Sequence, residues 1–466
     1  MNMPDWFIGE LRKVFDKSSV LTDTDIEPRY YHDLAGQPVD KPRAVVRPRT
    51  TEQVSAFLRL CHRERVPVAT QGGMTGLVRG ALPNSSEIVL SMERMNAVEE
   101  VDTLAGTAVA QAGAPLQKIH ERVEQEGYMF PIDLGARGSC TIGGNVSTNA
   151  GGNRVIRYGM TRDLILGLEV VTADGIVLQG LRKHIKNNTG IDLKQLFIGS
   201  EGILGVVTRA ALRIFPAPAE RQVALCALPS FPQVTSFLRM ARKHLGGELT
   251  AFELMWNEYY RLTVERVKGV IGPLPTRYPF YVLVEASGDH ADRIHADQEK
   301  LLEAAIVENL IVDATLSNTN ASAEAMWRIR DSSGELARTF PYAARISFDV
   351  SLAIDRMDEY TRSIGASIKT IDTSAFLIVF GHVGDGNLHL DVHHENTPTK
   401  GEDLERLVYQ ITGDFDGSIS AEHGIGILKR PYLKISRTQE EIETMRMLKR
   451  ALDPNRILNP GRIFTM

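Results

Sequence analysis

Residues 139–153 read SCTIGGNVSTNAGGN, a run of small and polar side chains in which Ile142 and Val146 are the only large apolar residues. A segment with so little apolar volume cannot be packed as an ordinary core element. It either turns repeatedly or lets another group approach its backbone closely. Taken alone, the segment could also be a mobile surface loop, and that alternative stays open at this point.

A second glycine-rich segment, QGGMTG at residues 71–76, directly follows the apolar stretch 66–70, which we expect to be a strand. A diphosphate is held where several backbone N–H groups converge without a Cβ atom in the way. The segment lacks the GxGxxG pattern of a Rossmann dinucleotide site, and alone it could be a plain tight turn. Two such segments in one half of the chain predict a long diphosphate ligand held from both sides.

The overall composition excludes some classes of protein. The 466 residues include 53 basic and 58 acidic side chains, a net charge of −5, which argues against a nucleic-acid-binding surface. Three widely spaced cysteines, Cys61, Cys140 and Cys226, form neither a disulfide framework nor a zinc–cysteine site, so a reducing compartment fits best. No apolar run reaches the ~20 residues of a membrane span, and no signal peptide is evident. We therefore expect a cytoplasmic protein of two domains.

Apolar periodicity predicts strands and helices in both halves of the chain. Thr50 and Gln53 have the spacing of a helix capping box, and Val54 begins an apolar helix face. The Pro-rich FPAPAE at 215–220 is typical of a domain boundary. We expect strands at 44–46, 88–90, 107–112, 281–285, 345–352 and 376–380, and helices at 290–309 and 438–452.

The second half contains GHVGDGNLH at residues 381–389, directly after an apolar strand. A strand, a tight glycine loop and a second strand would bring His382 and His389 together, with His389 on a polar face. Further on, SAEHGIG at 420–426 places Glu422 next to His423. Two imidazoles and a carboxylate form a plausible divalent-metal set, with zinc, manganese and iron all open. The alternative is that these histidines only satisfy internal hydrogen bonds.

Four segments, read in order, carry a resemblance to a known family. KPRAVVRPRTTEQV at 41–54, VATQGGMTGL at 68–77, PIDLGARGSCTIGGNVSTNAGGNRVIRYG at 131–159 and FIGSEGILGVVT at 197–208 resemble the FAD-binding domain of vanillyl-alcohol-oxidase-type flavoproteins. The resemblance implies that the first glycine loop holds the FAD pyrophosphate and that the second lines the flavin. It places Glu201 and Ile203 near the adenosine end, and Asn459 in a tail that returns to the ring. The FAD-binding residues that it implies are Gln71, Gly72, Gly73, Thr75, Gly76, Gly135, Ser139, Thr141, Gly143, Gly144, Asn145, Thr148, Asn149, Glu201, Ile203 and Asn459.

GHVGDGNLH and SAEHGIG resemble the FAD-linked C-terminal domain of D-lactate, glycolate and D-2-hydroxyglutarate dehydrogenases. Together the resemblances imply an α+β protein with a two-part FAD-binding domain (1–218), an α/β, ferredoxin-like substrate domain (219–410) and a C-terminal segment (411–466) that completes the active site. They imply flavin-dependent oxidation of a small D-2-hydroxy acid. The implied partners are that acid, an electron acceptor such as an electron-transfer flavoprotein or a quinone, and a second copy of the chain.

The resemblance also implies roles for single residues. The metal ligands that it implies are His382, His389 and Glu422, with zinc as the expected ion. His423 would be the general base, because an imidazole with an unperturbed pKa of ~6.5 can take a hydroxyl proton near neutral pH. Arg330, in the segment WRIR at 327–330, would bind the substrate carboxylate through two N–H groups. Asn387 completes the implied catalytic set.

Two other functions stay open. The chain could be a hydroxy-acid oxidase that uses oxygen, or a non-catalytic flavin-binding subunit that relays electrons. The sequence also departs from the 2-hydroxyglutarate type, in which a lysine is expected where Ser347 stands and a threonine where Gly334 stands. Arg345 would point to the same side of a strand as Ser347 and could replace that lysine. A diacid substrate is therefore left open.

Some members of the flavoprotein family attach FAD covalently through His or Cys. The pyrophosphate loop here has no histidine, and Cys140 is explained as a small buried apolar side chain. We therefore predict non-covalent FAD. Acid precipitation should leave the yellow chromophore in the supernatant, and flavin that stays with the protein pellet would refute this prediction.

Overall fold

The structure is a computed structural model that describes residues 5–33, 40–340 and 343–466. The chain forms two compact units. Unit 1 comprises Met1–Gly152, Gly159–Ala217 and Glu422–Met466, and unit 2 comprises Asn153–Tyr158 and Pro218–Ala421. The predicted division into 1–218, 219–410 and 411–466 stays a prediction about functional domains.

The strands of the described chain are numbered from the N-terminus. They are β1 (Val20–Leu21), β2 (Ala44–Val46), β3 (Val68–Gln71), β4 (Ile88–Ser91), β5 (Val98–Asp102), β6 (Thr107–Gln111), β7 (Tyr128–Met129), β8 (Ile165–Val171), β9 (Val177–Gly180), β10 (Val206–Arg213), β11 (Phe215–Pro216), β12 (Glu220–Leu228), β13 (Leu249–Trp256), β14 (Phe280–Gly288), β15 (Asp313–Leu316), β16 (Ala343–Ser351), β17 (Phe376–Gly381) and β18 (Asn387–Glu395).

The α-helices are numbered in the same way. They are α1 (Asp5–Leu11), α2 (Thr51–Glu64), α3 (Leu116–Glu124), α4 (Ile142–Thr148), α5 (Val155–Tyr158), α6 (Thr161–Leu164), α7 (Lys194–Phe197), α8 (Phe231–Leu245), α9 (Asn257–Arg266), α10 (Ala291–Val307), α11 (Asn320–Asp331), α12 (Ser333–Arg338), α13 (Met357–Ile371), α14 (Pro398–Asp414), α15 (Leu433–Ser436) and α16 (Gln439–Leu452). Within the described ranges, none of these helices is long and apolar enough to cross a membrane.

Unit 1 is built on separate sheets. One has the order β1-β2-β4-β3, in which β4 pairs in parallel with both β2 and β3. A second has the order β5-β6-β10-β8-β9, with antiparallel neighbours throughout. A short antiparallel pair, β7 with β11, accompanies them. The two larger sheets correspond to the two parts expected for the first domain.

Helix α2 follows the predicted apolar pattern, because its inner residues Val54 and Phe57 are completely buried. The hydroxyl of Thr50 accepts a hydrogen bond from the backbone N–H of Gln53, as an N-cap does. The predicted capping box is wrong in its second bond, the one from the Gln53 side chain back to the cap residue. The side-chain oxygen of Gln53 accepts from the N–H of Arg49, one residue before the cap, at 2.7 Å.

The glycine-rich segment at residues 139–153 contains the short helix α4. Ile142 and Val146 are its buried apolar residues. A Cβ atom added at Gly143 would collide with the Cβ atom and carbonyl oxygen of Ala112, in the loop after β6. The sequence predicts either repeated turns or a close approach of another group to the backbone, and the close approach is confirmed at Gly143.

The C-terminal segment of unit 1 runs beside strand β3. The backbone N–H of Val68 donates to Ile457 at 2.7 Å, and the N–H of Asn459 donates back to Val68 at 2.8 Å. The buried ammonium of Lys449, on α16, donates to the carbonyl of Leu458 at 2.8 Å. These bonds hold the tail in a defined position next to the strand that leads into the first glycine loop.

Unit 2 is built on one seven-stranded antiparallel sheet of the order β15-β12-β14-β13-β17-β18-β16. On β18, Leu388, Leu390 and Val392 are fully buried and alternate with polar residues, as the sequence predicts. The loop between β17 and β18 closes through Gly386, whose φ of +90° suits glycine. This hairpin carries both histidines of the GHVGDGNLH segment.

Candidate active site

The two glycine-rich segments of unit 1 lie directly against each other. A Cβ atom added at Gly72 would collide with the hydroxyl of Thr141, and one added at Gly73 would collide with the carbonyl of Ser139. At Gly73 the facing backbone leaves no room for a side chain, whereas at Gly72 the obstacle is the side chain of Thr141. The structure thus brings together the two loops that the sequence assigns to FAD.

Buried polar atoms without protein partners also occur in this region. Within the described chain, the side-chain oxygens of Gln71 and Asn145 are buried and accept no hydrogen bond. The amide nitrogen of Gln71, in contrast, donates to the carbonyls of Tyr30 and Ala81. Buried polar atoms normally have partners, so two unpaired acceptors beside a glycine cradle fit a polar ligand such as FAD.

The other residues assigned to FAD have different local roles. The hydroxyl of Thr148 donates to Gly144 within α4, and the side chain of Asn149 accepts from the N–H of Arg162 at 2.9 Å. Cys140 is buried, and burial raises the pKa of its thiol, which makes it a poor nucleophile. Contacts of all the assigned residues with FAD, including Gly135, Thr75, Gly76 and Ile203, stay predictions.

Glu201 holds a loop that the sequence analysis did not connect with it. Its carboxylate accepts hydrogen bonds from the backbone N–H groups of Ile425 at 2.7 Å and Gly426 at 2.8 Å. Burial raises the pKa of Glu201, although the two backbone donors work in the opposite direction. Because His423 lies immediately before Gly424, the loop that Glu201 binds continues directly from the proposed base.

Asn459 ties the same glutamate to the first glycine loop. Its side-chain nitrogen donates to the carbonyl of Glu201 at 2.6 Å, and its oxygen accepts from the N–H of Thr70 at 2.8 Å. The N–H of Glu201 donates to the carbonyl of Ser147 in α4. Glu201 and Asn459 therefore connect both glycine loops, the C-terminal tail and the loop after His423.

In unit 2 the hairpin of β17 and β18 brings His382 and His389 together. Their ring centroids are 5.3 Å apart, and one ring nitrogen of each lies within 4.8 Å of the other. Nδ1 of His382 is 2.7 Å from the buried carboxylate of Glu253 on β13. Nδ1 of His389 is 4.0 Å from the buried carboxylate of Asp349 on β16. Carboxylates behind imidazoles fix the ring orientation in metal sites, so this donor pair fits a divalent ion.

Arg330 is buried next to this pair, so it is not a surface arginine of helix α11. Its Nε donates to Glu253 at 2.7 Å, and one terminal nitrogen is 3.0 Å from Nε2 of His382. Burial works to lower the pKa of Arg330, but the carboxylate of Glu253 outweighs it and raises that pKa. The guanidinium is therefore a fixed positive charge beside the two histidines.

Asn387 supports the strand that faces His389. Its side-chain nitrogen donates to the carboxylate of Asp349 at 2.9 Å and to the carbonyl of Val350 at 3.0 Å. Asp349 is the cross-strand neighbour of His389 in the pairing of β16 with β18. The contacts shown are those of a residue that positions Asp349, and the catalytic role of Asn387 stays a prediction.

Glu422 and His423 belong to unit 1, whereas His382 and His389 belong to unit 2. Glu422 accepts a hydrogen bond from the N–H of Gly152, the last residue of the second glycine-rich segment in unit 1, at 3.0 Å. Glu422 therefore lies beside that segment, and the predicted roles of Glu422 as a metal ligand and of His423 as the general base stay predictions.

The sequence analysis missed Glu253 and Asp349. Each is a single acidic residue in an otherwise buried part of a strand, AFELM at 251–255 and FDV at 348–350. A lone buried carboxylate in a strand needs a charged or hydrogen-bonding partner, and that was the available signal. The partner itself is on another strand, so only the sheet order identifies it.

Comparison with known proteins now decides the family. A family model described as "FAD linked oxidases, C-terminal domain" matches residues 217–463, and one described as "FAD binding domain" matches residues 42–180. The chain belongs to the FAD-linked oxidases. The resemblance found in the sequence is thereby confirmed, and the chain is an FAD-dependent oxidoreductase.

Curated relatives match over most of their length. The chain is 42% identical over 426 residues to mitochondrial D-2-hydroxyglutarate dehydrogenase of Bos taurus, with 90% of this chain and 76% of the relative covered. It is 38% identical over 448 residues to D-2-hydroxyglutarate dehydrogenase of Xanthomonas citri pv. viticola, with 94% and 93% covered.

Solved structures confirm the fold class. p-Cresol methylhydroxylase with bound substrate has a TM-score of 0.78 at 14% identity, and the match covers 99% of this FAD-linked oxidase and 97% of that chain. Alkyldihydroxyacetonephosphate synthase has a TM-score of 0.76 at 18% identity, with 98% and 85% covered. At these identities the likeness concerns the fold alone, which is the α+β, vanillyl-alcohol-oxidase-type fold that the sequence predicts.

Replacement of Glu201 by glutamine tests its link to the His423 loop. One N–H donor of the loop would then face an amide nitrogen, which cannot accept a hydrogen bond. We predict that kcat of Glu201→Gln falls ~10-fold or more with a smaller change in KM, since a loop that carries a base acts on turnover. Glu124→Gln, at an exposed position of α3, is the control. An unchanged kcat with bound FAD would contradict the link.

Proposed function

We propose that this flavoenzyme oxidises a D-2-hydroxy acid to the 2-oxo acid. The observation that carries the proposal is the histidine pair on one hairpin, with buried carboxylates behind both rings and a fixed arginine beside them. The names of the similar proteins support the substrate class, because they are D-2-hydroxyglutarate dehydrogenases. The match to an FAD-binding domain supports FAD as the group within the enzyme that accepts the hydride.

The substrate carboxylate would be bound by Arg330. Nε of this arginine is engaged by Glu253 and one terminal nitrogen faces His382, so a terminal nitrogen would have to turn from the protein to bind a substrate. A buried, permanently charged guanidinium holds a carboxylate in one orientation, which fixes the neighbouring hydroxyl-bearing carbon. The proposed role of Arg330 is therefore to orient the substrate.

His423 would take the hydroxyl proton while a hydride leaves the same carbon. The flavin, when bound, supplies the acceptor for that hydride. Loss of one proton and one hydride converts the alcohol to the ketone, so atoms and electrons balance. Glu201 holds the loop that follows His423 through two hydrogen bonds, and this would restrict the position of the imidazole.

His382, His389 and Glu422 would hold one divalent ion, for which zinc is our expectation. Chain connectivity supports Glu422, because Ala421 before it donates its N–H to the carboxylate of Asp349 at 3.2 Å. Asp349 is the cross-strand neighbour of His389. Such an ion lowers the pKa of an alcohol that it contacts. The electron acceptor, the cytoplasmic location and a homodimer stay predictions.

Flavin bleaching without oxygen tests the proposed reaction. We predict that D-2-hydroxy acids bleach the bound flavin and that their L-enantiomers do not. His423→Ala should slow bleaching by ~10²-fold or more, the usual scale for loss of a general base, while FAD stays bound. His184→Ala, at an exposed position of unit 1, is the matched control. Bleaching at the wild-type rate in His423→Ala would reject this base.

Metal retention tests the role of Glu253 without using activity. The carboxylate orients His382, and loss of such a support typically costs ~10–100-fold in metal affinity. We predict that Glu253→Gln releases its ion to a competing chelator at correspondingly lower chelator concentration than the wild type. Glu285→Gln is a matched control, because Glu285 is buried on the neighbouring strand β14 and binds Trp327 and Thr250. Equal retention in both variants would count against the site.

A further inference from the structure

One face of the hairpin continues beyond the histidine pair. His389, Asp391 and His393 lie on the same face of β18, because residues two apart on a strand point to the same side. The pairing with β16 places Ser347 opposite Asp391 and Arg345 opposite His393. These side chains form a row that starts at His389 and leads away from the β17–β18 loop.

Arg345 is already neutralised within this row. Its guanidinium is 2.9 Å from the carboxylate of Asp391, and it also donates to the hydroxyl of Ser347 at 3.4 Å. The side chain of Asp391 is 4% exposed, whereas that of Arg345 is 33% exposed. The guanidinium therefore covers a buried negative charge and leaves the pair with no net charge.

The row continues into aromatic side chains, one of which, Phe340, has the guanidinium of Arg266 over its ring at 4.7 Å. The ring of His393 is stacked on Phe376 at 4.8 Å and also contacts Phe340 at 4.8 Å. Burial lowers the pKa of His393, which keeps the imidazole neutral at ordinary pH. Ile378 on β17 is the neighbour of Asp391 on the other side. Beyond the Arg345–Asp391 pair, the row thus presents neutral side chains.

We propose that the Arg345–Asp391 pair selects 2-hydroxy acids with an uncharged side chain and disfavours those with a second carboxylate. This inference rests on the proposed function and specifies its substrate class. With the reacting carbon held beside His389 and Arg330, the substrate side chain extends along the row toward Asp391. One strand repeat, ~6.7 Å, separates the two positions, which is within the reach of a diacid.

Charge explains the selection. A second substrate carboxylate near this pair meets the guanidinium of Arg345, whose charge is already balanced by the buried carboxylate of Asp391 behind it. To bind it, Arg345 must leave Asp391 or be shared between two carboxylates. A neutral side chain imposes neither cost. The names of the similar proteins include a diacid, so this inference predicts a substrate preference different from the one that those names suggest.

The sharpest probe pair differs only in charge: D-2-hydroxyglutarate, and the same molecule with its distal carboxylate converted to an amide. The readout is kcat/KM for each with the full-length, FAD-loaded and metal-loaded enzyme. We expect the wild type to favour the amide by ~10-fold or more, the scale of one unfavourable charge contact. D-Lactate and D-2-hydroxybutyrate extend the uncharged series.

Asp391→Asn removes the negative charge with little change in size. We expect it to raise the diacid-to-amide ratio of kcat/KM by ~10-fold or more, because Arg345 is then free to bind the distal carboxylate. The double variant Asp391→Asn with Arg345→Gln should give an intermediate ratio, since repulsion and attraction are both gone. Asp313→Asn, on the strand at the far edge of the same sheet, is the matched control and should leave the ratio unchanged.

The outcomes separate this inference from the proposed function. A wild-type preference for the diacid, or an unchanged ratio in Asp391→Asn, overturns the selection. Failure of every D-2-hydroxy acid to bleach the flavin overturns the proposed function instead. The wild-type comparison needs no variant, so the inference stays testable even if Asp391→Asn does not fold.

Discussion

A buried carboxylate is the constraint on which the site of unit 2 depends. Glu253 is 1% exposed and lies between Phe252 and Leu254, which are also buried. An unpaired ionised carboxylate at such a position destabilises a protein by several kcal/mol, which is more than most single mutations do. His382 and Arg330 remove that cost by pairing with it. The orientation of the imidazole and the position of the guanidinium both follow from this charge balance.

In unit 1, backbone N–H groups stabilise another buried carboxylate, that of Glu201. Glu201 is buried, its carboxylate accepts hydrogen bonds from the N–H groups of Ile425 and Gly426, and Lys429 and Arg462 add positive charge that favours its ionised form. The glutamate can bind these N–H groups because the loop bends through Gly424 and Gly426, which have φ values of +79° and +52°. The hydrogen bonds that stabilise the carboxylate of Glu201 therefore also determine the course of the chain after His423.

The parts of this structure that depend on local pattern could be predicted from the sequence. The alternation on β18 predicted which residues are buried, and the glycine loop predicted that His382 and His389 meet. Glu253 and the Arg345–Asp391 pair could not be found in this way. Their partners come from strands that are distant in sequence, and their proximity depends on the order β13-β17-β18-β16. Motifs identify residues that are close together in the sequence. Charge pairs across a sheet can be identified only when the order of the strands is known.

The central claim is that the hairpin histidines hold a catalytic metal ion in a flavoenzyme. The most direct test is a crystal structure of the zinc-loaded protein with anomalous scattering recorded at the zinc edge. The account predicts one peak at ~2.0–2.1 Å from a ring nitrogen of both His382 and His389, the usual zinc–imidazole distance, with an oxygen of Glu422 as a further ligand. A peak away from both histidines, or a fully active protein with no peak, would contradict it.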